Sequence, residues 1–496
     1  MRQITVNIGQ EKGKLNRYFK RCIGAGRAAE VMRHVAFEQL KQIQKDIGFE
    51  YIRFHGLFHE EMGIVQRTVS GEILYNFQYV DLLFDSLLEI DLRPVVELGL
   101  MPDIMGEEQK YVFWWKMNIS MPKDMREWAA LVEALVRHLA HRYGEEEIKK
   151  WYFEVWNEPN HRGFFTKSKE IDQYFALYAG AARAVKAVCK DYRVGGPATA
   201  SVGWIPEMIA YCEENDVPLD FVSTHNYPGK VAFDPDGTRQ VYMNSLDELT
   251  DGFCEKGKYC HDRGYPFLIT EWSASASPRD SVHDSYFSAP LILRSIKACE
   301  GNVDMFSYWA YTDIFEEPGV PMTPFHGGFG LLNIQSLQKP SYHAYVFLNR
   351  LGDTQLICED QDTYACKNDA ETQILFWNYV HPEHQDAPNR EYFARPLPAA
   401  KMEDAQITLK GLLANTEYIV TRETIGYRSG DVYNTYLESK FTDFPTREEI
   451  NALLEKSKPA KVTTCVLADE NGVLHITVPQ FENEVHLLTV KRKEEA

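Results

Sequence analysis

Eight short apolar runs recur between residues 20 and 345, each parted from the next by a longer amphipathic stretch. They are RCIGAG (21–26), YIRFHG (51–56), RPVVELG (93–99), WYFEVWN (151–157), YRVGGPA (192–198), DFVSTHNY (220–227), PFLITEW (266–272) and DMFSYWAY (304–311). A strand buried on both faces reads as a near-continuous apolar run, and parallel neighbours need a crossover of a dozen or more residues. Alternation on this scale points to an α/β fold. Eight strand–helix units over about 325 residues match a (β/α)8 TIM barrel with long loops.

The intervening stretches carry helix signals. Over residues 124–143, Trp128, Leu131, Val132, Leu135 and Leu139 recur at helical spacing, Asp124 and Glu127 form a capping-box pattern, and Gly144 ends the run. A second helix is expected from near Ser168, carrying Tyr174, Leu177, Tyr178, Ala181, Val185 and Val188. A doubly wound open sheet is the competing fold. Its phosphate turn would need a third glycine after Gly24 and Gly26 in CIGAGRAAE, and an acidic partner further on, and neither is there.

Past residue 350 the texture changes. TQILFWNYV, AQITLKG, EYIVTRETIG, VTTCVLA, GVLHITVP and VHLLTVKRK are short strand-like segments between polar turns, with one helical interruption at Thr446–Lys456. They predict an antiparallel β-sandwich. The expected division is a catalytic barrel over 15–348 and a sandwich over 349–496, with the opening strand (1–14) joining the sandwich.

A formal net charge of −19 repels phosphate backbones and anionic lipid, so nucleic-acid and membrane-surface partners are not expected. The nine cysteines are scattered, with no CxxC pair and no Cys/His cluster, so neither a structural zinc nor a disulfide framework is indicated. The polar, alternating N-terminus and the lack of a long apolar run predict a cytoplasmic location. On that reading the sequon Asn118-Ile119-Ser120 carries no glycan.

The stretch WYFEVWNEPN (151–160) carries the chemistry. A carboxylate at the lip of a buried strand, beside a carboxamide, costs desolvation free energy unless something uses it. Glu158 follows the fourth run, and Glu271 ends the seventh, 113 residues later. A barrel gathers strand ends at one mouth. Two carboxyls about 5 Å apart there suit double-displacement glycoside hydrolysis with retention. Glu158 is the expected acid/base, kept protonated by burial and by the charge on Glu271, and Glu271 is the nucleophile. Asn157 is placed to bond the sugar 2-hydroxyl. No metal or other cofactor is needed, because the two carboxylates supply acid, base and nucleophile.

VWNEPN, YIRFHG, VVELGLMP, VFWWK, VGGPAT, STHNYP, ITEWS and SYWAYTDIFEEPGVPMTPFHGGFGLL together resemble glycoside hydrolase family 39, nearest its bacterial β-xylosidases, over residues 17 to 353. The resemblance implies a retaining enzyme with Glu158 as acid/base and Glu271 as nucleophile. It further implies hydroxyl contacts from His55 and His225, a tyrosine (Tyr227) on the nucleophile, a ring platform at Trp309, hydroxyl-binding carboxylates at Glu316 and Glu317, and a pocket wall at Phe113. It implies a homo-oligomer, such as a tetramer. Trp272-Ser273-Ala274-Ser275 and NYPGKVAFDPDGTRQ depart from the family pattern, which leaves the sugar open. Exo-release of β-D-xylose from short xylo-oligosaccharides is the leading expectation. An α-L-arabinoside, β-galactoside, β-glucoside or α-L-iduronide on the same machinery is the alternative, and a non-catalytic sugar-binding barrel is the remote one.

Overall fold

The computed structural model describes residues 2–233, 239–243, 245–382, 387–439 and 444–493. Eight parallel strands close into a barrel: β1 (Cys22–Arg27), β2 (Tyr51–His55), β3 (Arg93–Leu98), β4 (Tyr152–Val155), β5 (Arg193–Thr199), β6 (Phe221–His225), β7 (Phe267–Trp272) and β8 (Met305–Tyr308). Each of the eight apolar runs supplies one of them. The helices between them pack their apolar faces on the outside of the barrel. In the helix Met125–Tyr143, the residues Trp128, Leu131, Val132, Leu135 and Leu139 are all buried, as their spacing predicts.

Two local expectations need correction. Asp124 caps that helix by accepting from the backbone N–H of Arg126, one residue earlier than a capping box with Glu127 requires. The next long helix runs Ile171–Val188, because residues 161–170 form turns against the end of β4 instead.

The C-terminal half is built from two packed sheets. Seven strands run in the spatial order Glu11–Lys14, Thr354–Leu356, Thr363–Lys367, Glu371–Trp377, Val485–Arg492, Glu417–Ile425 and Ala460–Leu467. A three-stranded sheet of Arg2–Asn7, Ala405–Lys410 and Leu474–Val478 lies on one face. At its middle strand Glu371–Trp377 the large sheet is buried on both sides, which explains the unbroken apolar run ILFW. Ile374 and Phe376 join the core between the sheets, while Leu375 and Trp377 join the core shared with the barrel. The N-terminal strand pairs in parallel with Ala405–Lys410, so the small sheet is mixed rather than purely antiparallel. The short strands Thr354–Leu356 and Thr363–Lys367 and the helix Val432–Glu438 carry too little periodicity to be read from sequence. Asn118 of the sequon is buried, and its Nδ2 donates to Asp103.

Arg2 ties the two sheets together. Its Nε donates to Oδ2 of Asp360 at 2.9 Å and its Nη1 to the carbonyl of Trp377. Burial pushes the Asp360 carboxyl up, but the pairing with Arg2 outweighs it and the net shift is downward. A carboxyl depressed in this way stabilises the fold above its unfolded-state pKa, and that contribution is lost as pH falls through the lower folded value. Arg2→Ala is therefore expected to cost about 1–3 kcal/mol at neutral pH. The gap to wild type should begin to narrow below about pH 4 and close only once pH has fallen through the lower folded value, where the carboxyl is protonated in both states. Denaturant titrations at the two pH values measure this.

Candidate active site

Inside the barrel the side chains stack in layers, because alternate residues of a strand face inward. The floor is an apolar cluster of Cys22, Tyr51, Val95, Tyr152, Phe221, Leu268 and Met305. Two residues further along β2, β3 and β4 stand Arg53, Glu97 and Glu154, all fully buried. Nε of Arg53 donates to Glu154 at 2.5 Å, Nη1 to Glu271 at 2.5 Å, and Nη2 to Oδ1 of Asn157 at 2.9 Å. Nη2 is also 3.0 Å from Glu97. One guanidinium thus holds groups from three other strands and their C-terminal turns.

Strand parity alone would turn Glu271 out of the barrel, since Leu268 and Thr270 face in. The register of β7 shifts against both neighbours at this point, between Thr224 and His225 of β6 and between Ile269 and Trp272 against β8. That irregularity brings both Thr270 and Glu271 inside. On the other side, Trp156 (φ 71°) and Glu158 (φ 44°) take left-handed backbone just after β4. Neither is glycine, and such positions cost about 1–3 kcal/mol each. They aim Glu158 back over the barrel mouth.

A carboxylate oxygen of Glu158, one of Glu271 and a ring nitrogen of His225 lie within 4.8 Å of one another. Retaining glycosidases set their two carboxyls about 5–5.5 Å apart, whereas inverting ones leave about 6.5–9.5 Å for a water. This trio is close enough to share a cation, but the Arg53 guanidinium against Glu271 already supplies positive charge there.

The two carboxylates differ in their surroundings. Glu271 accepts from Arg53 and, at 2.7 Å, from the hydroxyl of Tyr227, with Nε2 of His55 at 3.5 Å. Burial raises its pKa, while Arg53, His55 and Tyr227 pull it back. Burial and the charge on Glu271 push the Tyr227 phenol well above its ordinary value, so it stays a donor. Burial also pushes His55 down to about 3. Its Nδ1 lies 2.7 Å from Glu97, which fixes the ring.

Asn157 is oriented by chemistry alone. A guanidinium only donates, so the carbonyl oxygen of Asn157 must face Arg53. Its Nδ2 is then turned the other way, buried and without a hydrogen-bond partner among the described residues. A sugar hydroxyl is the kind of group that would complete it.

Trp309 is buried beside Arg53, its ring 4.9 Å from that of His55 and edge-on to Phe315. A Cβ at Gly24 would lie 2.3 Å from the indole, so β1 must present glycine there. Phe113 (φ 66°) stacks on His55 at 5.7 Å and on Trp115 at 5.0 Å. Trp115 packs under Arg27, whereas Trp114 is exposed. Glu317 reaches 3.8 Å from Nε2 of His55. Glu316 does not join this group in the same way: both its oxygens are held by Arg33 and one also by Arg27. Burial raises Glu316 but the two guanidinium groups lower it further. Of the loop after β6, residues 234–238 lie outside the described residues.

A family model described as "Glycosyl hydrolases family 39" matches residues 2–473. The chain belongs to glycoside hydrolase family 39. It is 37% identical to a β-xylosidase of Caldicellulosiruptor saccharolyticus over 99% of this chain and 98% of that one. A β-xylosidase of Geobacillus stearothermophilus is 34% identical over 98% of this chain and 94% of that one. Among solved structures, a monomeric β-xylosidase of Caulobacter crescentus superposes with TM-score 0.94 at 35% identity, covering 99% of each chain.

For a family 39 barrel, Arg53, Glu97, Glu154 and Thr270 are the site residues that motif reading passes over. Three had a signal: Arg53, Glu97 and Glu154 are lone charges in otherwise apolar strands, and a charge buried in a strand needs a partner. Thr270 had none, since threonine is an ordinary strand residue. Tyr227→Phe removes one donor from ionised Glu271 and should lower kcat/KM by about 10–100-fold with little change in Tm. Losing a donor to the charged form raises the carboxyl pKa, so the acid limb of the kcat/KM profile should move to higher pH. Steady-state rates across pH test both.

Proposed function

We propose that this family 39 glycoside hydrolase is an exo-acting β-xylosidase that releases β-D-xylose from the non-reducing end of short xylo-oligosaccharides with retention. The observation that carries the mechanism is the separation of the two carboxylates within 4.8 Å, with one of them gripped by Arg53 and Tyr227. In the first step Glu271 attacks the anomeric carbon. The bond to the leaving oxygen breaks as that oxygen takes the proton of Glu158, and an ester to Glu271 forms. Esterification removes the charge of Glu271, so Glu158 more readily stays ionised. Glu158 then takes a proton from water as the water attacks the same carbon, and the ester bond breaks. The Nδ2 of Asn157 donates to the sugar 2-hydroxyl, a contact that strengthens as positive charge develops on the ring.

One feature supports xylose as the sugar, and a second supports a pyranose of any kind. The relatives matched end to end at 37% and 34% identity are named β-xylosidases. Trp309 offers an aromatic floor on which the C–H face of a pyranose can pack. A cytoplasmic location fits this reading, because short oligosaccharides rather than polymeric xylan would then be the substrate. The family resemblance carries the expectation of a homo-oligomer, against which stands the Caulobacter crescentus relative described as monomeric. Sedimentation of the purified chain decides between them.

The deciding test compares wild type with Glu271→Ala on 4-nitrophenyl β-xyloside, α-L-arabinofuranoside, β-glucoside, β-galactoside and α-L-iduronide. The xyloside is expected to have the highest kcat/KM, with activity lowered on the order of 10⁴-fold or more in the variant. Proton NMR should show the β-anomer as first product. A different best glycoside would keep the mechanism and change the sugar, whereas α-anomer first would overturn the retaining mechanism.

A further inference from the structure

Behind the acid/base lies a chain of hydrogen bonds that the two-carboxylate mechanism does not use. Glu154, Thr270 and His225 project from β4, β7 and β6 and are fully buried. The Thr270 hydroxyl donates to Oε1 of Glu154 at 2.8 Å. The other oxygen of Glu154 accepts from Nε of Arg53, so this carboxylate is ion-paired and acts as an acceptor. Nε2 of His225 lies 3.1 Å from the same Thr270 oxygen, and Nδ1 lies 3.2 Å from Oε1 of Glu158.

Counting protons fixes the direction of this chain. A threonine hydroxyl has one proton, and here it goes to Glu154. The Thr270 oxygen can then only accept from His225, which places the imidazole proton on Nε2. Burial, with Arg53 and His55 nearby, holds the His225 pKa well below its ordinary value, so the ring is neutral and Nδ1 is a lone pair. A lone pair facing a carboxylate oxygen repels it unless the carboxyl carries the proton.

We propose that Glu154 and Thr270 set the tautomer of His225, which thereby holds the proton on Glu158 until the glycosidic oxygen takes it. Thr270 and Glu154 are positioning residues on this account, and the proposal rests on Glu158 being the acid/base. The other ionisable groups around the pair are Arg53 and His55 from β2, Glu97 from β3, Tyr227 after β6 and Glu271 from β7. Tyr227 commits its proton to Glu271, and Nδ1 of His225 is 3.6 Å from Glu271, beyond hydrogen-bond reach. A hydrogen bond that favours the neutral carboxyl raises its pKa and so extends the pH range in which it can act as an acid.

The test is the basic limb of the kcat/KM profile, measured with the unsubstituted phenyl glycoside of the preferred sugar, whose leaving group needs protonation. In Thr270→Val, Nε2 loses its acceptor. The ring can then present Nδ1–H to Glu158, stabilise the carboxylate and lower its pKa. The basic limb should fall by about one pH unit. Thr270→Ser restores the hydroxyl and should return the limb to the wild-type position. A uniform loss of rate with an unmoved limb in Thr270→Val overturns the proposal.

The wild-type enzyme gives a check that survives poor folding of the variant. With ¹⁵N-labelled histidine, His225 (assigned by its loss in His225→Asn) should show a protonated Nε2 and an unprotonated Nδ1, and the opposite tautomer overturns the relay. Glu158→Ala separates this outcome from failure of the underlying reading. If Glu158 is the acid/base, that variant loses the basic limb on the phenyl glycoside, and azide restores turnover of a 2,4-dinitrophenyl glycoside, whose leaving group departs without protonation. If it keeps the limb, the assignment of Glu158 itself is wrong.

Discussion

The guanidinium of Arg53 is the interaction on which the rest of the site depends. It sits fully buried above an apolar floor, within bonding distance of three carboxylates and one carboxamide. Burial raises the pKa of Glu97 and of Glu271, and the guanidinium is the largest influence pulling each of them back. Arginine suits the position since it never deprotonates in proteins and offers donors in several directions at once. The same contacts orient Glu271, turn the amide of Asn157 toward the mouth, and hold Glu154 as the anchor of the chain that ends at Glu158. Stability and reactivity here share one set of bonds.

The remaining order comes from backbone shapes that a regular strand would not adopt. The irregular register of β7 brings adjacent residues Thr270 and Glu271 to the same side, so that one strand supplies both to the barrel interior. Left-handed conformations at Phe113, Trp156 and Glu158 aim groups at the mouth from loops that would otherwise point away. Such conformations persist only where the surroundings over-determine them. Here the backbone N–H of Glu158 donates to the carbonyl of Ala198, and Trp156 is clamped by its own N–H to Leu98 and by its indole to Phe164.

Further out, the support becomes electrostatic and architectural. Arg27 and Arg33 grip Glu316 and so fix the loop after β8 that carries Glu317 toward His55. The two-sheet half packs on the barrel through Leu375, Trp377 and Leu487 in the shared core. Direct bonds join the halves as well, from Asn389 to Asp280 and from Tyr286 to the carbonyl of Leu397. Asp280 begins the short turn that leads to the buried Asp284–Lys339–Asp313 cluster, so the second half abuts the scaffold of the β7 and β8 loops.

The eight barrel strands were legible in the sequence because burial on both faces makes each a continuous apolar run, and six strands of the C-terminal half were legible for related reasons. Glu158 and Glu271 could be singled out as a pair: one strand-end carboxylate can simply face solvent, but two at barrel-compatible spacing, one of them preceded by Asn157, point to shared chemistry. Tertiary structure alone decided how those groups meet. Parity would have sent Glu271 outward, and only the register shift reverses it. Glu316, in the same acidic motif as Glu317, is committed to two arginines from the end of β1 and the segment that follows, a pairing no local pattern encodes. Thr270 shows the limit most plainly: nothing in ITEWS separates it from any strand threonine, and its importance comes from lying between a carboxylate and an imidazole that the chain places 116 and 45 residues away. Local sequence sets periodicity and burial, which depend on near neighbours. The direction of a proton depends on three side chains meeting in space, and only the closed barrel brings them together.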